Sequence, residues 1–230
     1  MQPNPGKKLI ISINNKKFAR YPIKTSLITS ENKDLVKLIK KYTKGLLKVG
    51  DILFIAEKII AISQNRAYPI KDIRPSKIAT SLSKYVYKNP AGIGLASPET
   101  MQLAIEETGL VRILFAAIIG FLFKLIGIRG VFYKIAGDQA RGIDGPVPYA
   151  IPPYNKYASK APKNPQKAAK SLSMAIKYPI AIIDANDLGI RILGISSRAI
   201  NKKMIAKALK DNPLGQTDEK TPIGILREIK

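Results

Sequence analysis

The 230-residue chain carries 39 Lys and Arg against 16 Asp and Glu, and a formal charge of +23 favours polyanionic partners: nucleic acid, anionic lipid or phosphorylated small molecules. It has no cysteine and no histidine, which excludes disulfides, thiolate or imidazole metal ligands, cysteine nucleophiles and histidine bases. Chemistry is left to carboxylates, amines, hydroxyls, guanidinium groups or a hard cation such as Mg²⁺.

In chain order, "MQPNPGKKLIISI" has only a five-residue apolar run after its basic pair, too little for a signal peptide. "KKLIISI" and "FARYPI" read as short strands. From Lys33 to Lys48, Leu35, Leu38, Ile39, Tyr42 and Leu46 recur at helical steps, with lysines opposite. "ILFIA" is a buried strand by its continuous apolarity. "EKIIAISQNR" reads as a helical turn or two, followed by a short strand near Tyr68 to Ile70. "PSKIATSLSKYV" enters a helix, and "SPETMQLAIEETG" is a clearer one, with Ser97 as cap, Pro98 in the first turn and Gly109 at the close.

The most apolar segment, "ILFAAIIGFLF" (113–123), has eleven residues, well short of the roughly 20 that cross a bilayer as a helix. It reads as a buried core element; a monotopic anchor aided by Lys124 and Arg129 is the other reading. "GVFYKIAGDQ" reads as a strand running into a loop. Residues 141–158, rich in Pro and Gly, are irregular, and such stretches often carry function. "NPQKAAKSLSMAIK" is helical, "PIAIID" a strand, Asn201 to Lys210 helical, and "TPIGILREI" a closing strand. This irregular alternation predicts an α+β fold with mixed or antiparallel sheets and packed helices, in a single domain over 1–230.

No lysine falls between Lys177 and Lys202. Within that gap, "PIAIIDANDLGI" places Asp184, Asn186 and Asp187 after a strand, where ligand sites recur in sheet proteins. Two or three oxygen donors within four residues suit a divalent cation if a second carboxylate arrives from elsewhere; a plain Asx-rich turn is the alternative. "KIAGDQARGIDGP" supplies Asp138 and Asp144 in a second acidic loop. Together the loops predict a shared cation site, from which a nearby ammonium would be repelled. The basic residues, by contrast, are dispersed without an arginine-rich or aromatic-interleaved patch, so the charge alone does not establish nucleic acid as a partner.

"LKVGDILFIAEKIIAISQNR", "PSKIA", "AIEETGLV", "AGD" and "PIAIIDAND", in that order, resemble the coenzyme F-420-0:L-glutamate ligase (γ-glutamyl ligase) family, from about Tyr21 to the final strand. The resemblance implies a cytoplasmic, homodimeric α+β enzyme. Such an enzyme uses GTP with Mg²⁺ or Mn²⁺ to phosphorylate an acceptor carboxylate, which a glutamate amine then attacks. It implies metal ligation by Asp138 and by Asp184 with Asn186, Asp187 following in the same loop and Asp144 competing with Asp138. It implies nucleotide binding by the segment Ser26 to Thr29, by Lys58 and by Arg66. Ile62 stands where the family has a phosphate-contacting lysine, and Gln64-Asn65-Arg66 where it has Glu-Gly-Arg. A nucleotide- or anion-binding protein without catalysis is the second reading, a basic nucleic-acid-binding protein the third. Membrane association is not expected.

Overall fold

A computed structural model of the chain describes residues 1–32, 34–86, 94–186 and 189–229. Strands β1 (Ile10–Ile13) and β2 (Lys16–Ile23) form a hairpin around Asn14 and Asn15, both at the positive φ that a two-residue turn demands. Helix α1 (Leu35–Thr43) is capped by Asp34, whose carboxylate accepts the Lys37 N–H, and it buries Leu35, Leu38 and Ile39 on one face. Strand β3 (Ile52–Ala56) runs directly into α2 (Glu57–Ser63).

Next come β4 (Ala67–Pro69), α3 (Lys77–Ser83), α4 (Pro98–Thr108), α5 (Leu110–Leu125), α6 (Val131–Ala136), α7 (Asp138–Arg141) and β5 (Tyr157–Ser159). The chain closes with α8 (Pro165–Ile176), β6 (Ile180–Asn186), β7 (Gly189–Ile195), α9 (Lys202–Ala208) and β8 (Ile223–Ile229). The fold is α+β, with two compact units: Met1–Gln64 with Pro162–Lys230, and Asn65–Ala161. On the first unit's side of the crossing, the Gln64 amide donates to the Lys163 carbonyl (3.1 Å) and accepts its N–H (2.7 Å). On the second unit's side, Lys160 N–H donates to the Arg66 carbonyl (2.9 Å).

The first unit is built on a six-stranded sheet of order β1-β2-β8-β3-β6-β7, parallel only between β3 and β6. The last strand therefore sits between β2 and β3. On one face, Phe54, Ala181, Ile183 and Leu226 pack with Ile205, Ala208 and Leu209 from α9 and its end. Phe54 is fully buried, with Ala181 and Gly224 as its cross-strand neighbours. A Cβ on Gly224 would lie 2.1 Å from the ring, so glycine is what lets the aromatic cover the sheet. Past a bulge between Ile182 and Ile183, the Gln166 amide of α8 accepts the Ile195 N–H (3.1 Å) and donates to its carbonyl, continuing the ladder from a helix.

Two arginine pairs fasten this sheet. The fully buried Asp51 carboxylate accepts Nε and Nη2 of Arg227, both at 2.7 Å, and also the Lys48 N–H at 2.8 Å. Arg227 further donates to the Leu46 carbonyl (2.8 Å) and lies over the Tyr21 ring (5.2 Å). Arg20, 1% exposed, pairs with both Asp211 oxygens and donates to the carbonyls of Lys8 and Ala208.

The second unit has a core of small and medium residues, among them Leu95, Met101, Ala104, Ile113, Ala116 and Ala140. Ser97 and Thr100 form a capping box at α4, and Gly109 ends that helix at positive φ. Strands β4 and β5 pair antiparallel, so part of the stretch read as irregular is a short strand. An ionic cluster lies nearby: the buried Arg66 pairs with Glu107 (2.6 Å), and the buried Lys160 lies 3.8 Å from Glu107 and 3.1 Å from the exposed Glu106.

Two expectations are corrected here. The segment 113–123 is helical, and of α5 only Ile113 and Ala116 are buried; Leu125 and Ile126 just beyond are 68% and 69% exposed. Apolarity on every side of the segment hid the fact that the core takes only one i, i+3 stripe. Residues 131–136 form α6, not a strand. Gly130 and Gly137, both at positive φ, bracket it, and Phe132, Tyr133, Ile135 and Ala136 recur at helical steps against the core. No single helix among the described residues is long and apolar enough to cross a membrane.

Gly224→Ala should destabilise the fold by about 1–3 kcal/mol through overpacking against Phe54, read as a lower urea midpoint with an unchanged slope. Arg227→Met strands the Asp51 charge and should cost about 3–5 kcal/mol, most of it recovered on adding Asp51→Leu.

Candidate functional site

Sheet pairing lines up one edge of the first unit. Ile23 pairs with Ile223, Ile55 with Ile223 and Ala56 with Ile183, so the carboxyl ends of β2, β3 and β6 emerge together. Two backbone bonds stitch the loops there: Thr25 N–H to the Lys220 carbonyl (2.8 Å) and Ala56 N–H to the Pro222 carbonyl (2.9 Å). This edge receives Ser26 and Thr29 after β2, Lys58 in the first turn of α2 after β3, and Asp184 with Asn186 towards the end of β6. Ligands gather beyond strand carboxyl ends because loops and helix starts there are free to vary over a fixed sheet.

Ser26 is exposed, and its hydroxyl accepts the Tyr42 phenol (2.8 Å) while its N–H donates to the Tyr42 oxygen (2.8 Å). These bonds, the side chain's before the backbone's, hold the Tyr42 hydroxyl below the usual tyrosine range, with Lys41 adding to the effect. Thr29 N–H donates to Asn32 Oδ1 (2.8 Å), fixing the loop. Lys58 is half-buried, and the preceding Glu57 is buried. A shallow, open depression of about 560 Å³ lies beside the end of β2, lined among others by Ile23, Lys24, Tyr42, Asp218, Glu219 and Thr221.

Asp184 is a strand residue, not one of a loop past the strand's end. It pairs in register with Arg191 of β7, whose guanidinium stands 3.9 Å from its carboxylate, and the Asn186 amide lies 3.5 Å away. Its side chain is 22% exposed. The lysine-free gap thus holds an arginine opposite its first aspartate. The strand was expected to end at Asp184 because its apolar run stops there; pairing carries it on to Asn186, opposite Gly189. Asp187 lies outside the described residues. One residue not anticipated is Asn212, buried at positive φ: its amide nitrogen donates to the carbonyls of Ala185 (3.4 Å) and Gly215 (3.0 Å), while its Oδ1 has no partner among the described residues.

The remaining candidates belong to the second unit. Asp138 opens α7 directly after α6, so no strand precedes it; its side chain is 77% exposed, 3.8 Å from Arg141 one turn on. Asp144 forms an isolated antiparallel bridge with Ser159 through its own main chain (3.0 and 2.9 Å). Arg66 is buried against Glu107 and donates from Nε to the Ala161 carbonyl (2.6 Å). In the stretch 141–158, burial and then the Tyr157 phenol push the Tyr154 hydroxyl up to about 12, so it remains a neutral donor.

The structure therefore brings Ser26, Thr29, Lys58, Asp184 and Asn186 to one edge of one unit. Among the described residues, no three Asp or Glu side chains gather as a metal cage. The carboxylate and amide oxygens of Asp184 and Asn186 do suit a hard cation in kind, with Arg191 as the competing charge.

The sequence model of the family F420-0:Gamma-glutamyl ligase matches residues 22–185. That span contains Ser26, Thr29, Lys58, Arg66, Asp138, Asp144 and Asp184. Compared with curated proteins, the chain has no match.

Arg191 makes the role of Asp184 testable. Asp184→Asn should weaken Mn²⁺ binding tenfold or more, about 1.4 kcal/mol, whereas Arg191→Gln should tighten it by removing the competitor. Titration by paramagnetic resonance reads both; unchanged binding in both variants would mean that Asp184 serves only the hairpin.

Proposed function

Because the chain belongs to the F420-0:Gamma-glutamyl ligase family, we propose that it joins a glutamate-like amine to an acceptor carboxylate, using GTP and Mg²⁺ or Mn²⁺. A function of the gamma-glutamyl ligase type follows from the family itself. What supports the finer reading is the sheet edge, where hydroxyls and an ammonium follow the ends of β2 and β3 and a carboxylate lies towards the end of β6, all in one unit.

In this reading, a carboxylate oxygen of the acceptor attacks the γ-phosphorus of GTP, and GDP departs. The amine nitrogen then attacks the carbonyl carbon of the acyl phosphate, phosphate departs and the amine loses a proton. Lys58 neutralises phosphate charge, and Ser26 and Thr29 donate to phosphate or ribose oxygens. Asp184 and Asn186 are the residues that would hold the cation in this unit. A bound divalent ion would neutralise phosphate oxygens and stabilise the transferring charge. Without histidine, positioning and electrostatics supply most of the rate. Because Ile62 replaces a lysine, more of the phosphate binding falls on Lys58.

GTP over ATP, a cytoplasmic setting and a homodimer rest on the family resemblance. The Asp184–Arg191 pair favours a second reading, an anion-binding protein in which the cation no longer binds and catalysis is lost.

The expected outcome is a rise in melting temperature with GTP plus Mn²⁺ that exceeds the rise with ATP or GDP. GDP release should require an acceptor acid, and hydroxylamine should trap the acyl phosphate as a hydroxamate. Lys58→Ala should weaken GTP binding tenfold or more while the protein stays folded. A thermal response to GTP alone, without Mn²⁺ dependence or turnover, would select the second reading.

A further inference from the structure

Helices α5 and α6 form a hairpin in the second unit. Gly120 lets it close: a Cβ there would lie 3.0 Å from that of Phe132. At the far end, Gly127 and Gly130, both at positive φ, turn the chain, and Ile128 N–H reaches back to the Phe123 carbonyl (2.9 Å). Every residue from Phe121 to Gly130 is exposed, including Phe121, Leu122, Leu125, Ile126 and Ile128. An apolar tip of this kind is uncommon on a monomer's surface and marks a contact site.

Charge identifies what it contacts. From Thr108 to Gly137 there is no Asp or Glu, while Lys124 and Arg129 border the tip and Lys134 is exposed on α6. Two tips placed together would set these cations against each other with no acid to answer them. Anionic headgroups answer them, and the long basic side chains can rise to that level while the apolar residues enter the acyl boundary. Helix α5 alone is too short to cross, and α4 before it is bent away by 116° with Met101, Leu103 and Ala104 buried, so the contact is one-sided.

We propose that the α5–α6 tip docks this protein on an anionic lipid surface, inserting Leu125, Ile126 and Ile128 between Lys124 and Arg129.

The full chain should sediment with vesicles of equal parts phosphatidylglycerol and phosphatidylcholine, and far less with phosphatidylcholine alone. Part of the binding should survive high salt, because apolar burial is not screened. Leu125→Ser with Ile126→Ser, or Lys124→Glu with Arg129→Glu, should reduce bound protein tenfold or more. Lys40→Glu with Lys41→Glu on α1 should leave it unchanged. The chain has no tryptophan, so Leu125→Trp gives a sole reporter whose emission should shift to the blue on anionic vesicles. An unshifted emission, or tip variants that bind as the parent does, would overturn the proposal. So would a dimer in the ultracentrifuge that the tip variants dissolve, with no vesicle binding in the parent.

Discussion

The Asp51–Arg227 pair is the interaction on which the first unit turns. A fully buried carboxylate needs a counter-charge and hydrogen bonds on both oxygens. Arg227 supplies two, and the Lys48 N–H a third. The pair ties the turn entering β3 to a strand from the last residues of the chain. That strand, β8, holds β2 on one side and β3 on the other, and β3 in turn carries β6. Without β8, the strand ends that bear Ser26, Lys58 and Asp184 would have no common sheet.

A division of labour between the two basic residues explains the large positive charge. Arg20, Arg66 and Arg227 are inside, each held by a carboxylate and one or more carbonyls. A planar guanidinium fits such forked sites and stays charged when buried. Most lysines instead coat solvated faces such as the outer side of α1. Much of the +23 charge is thus a property of the surface, and it need not mark one polyanion site.

What was legible in the sequence had a local cause. "ILFIA" and "PIAIID" are strands because continuous β-branched apolarity suits a sheet covered on both faces, and Ser97, Pro98 and Gly109 mark α4 by capping chemistry alone. The failures had distant causes. Whether "VFYKIA" becomes strand or helix depends on which of its faces meets Ile113 and Ala116, a context that reaches back across most of α5 and that no short window contains. Uniform apolarity in 113–123 gave no hint of which side would be buried. At the candidate site, the candidate residues were readable but their partners were not. Arg191 becomes the partner of Asp184 only once Asn186 is known to pair with Gly189, which fixes the register. Tyr42 meets Ser26 only through the return of α1.

The amide clamp between Gln64 and Lys163 brings together the two points where the chain leaves and re-enters the first unit. The second unit is contiguous in sequence, whereas the first is split, and β8 at the middle of its sheet follows every other described strand in sequence. On a ribosome, the inserted unit has all of its residues well before its host does. Strand β3 can pair with β6 once that strand emerges, but β2 and β3 are joined only when β8 leaves the exit tunnel. A chain broken off before β8 would therefore retain a complete inserted unit but leave the β1–β2 hairpin unjoined to β3, β6 and β7.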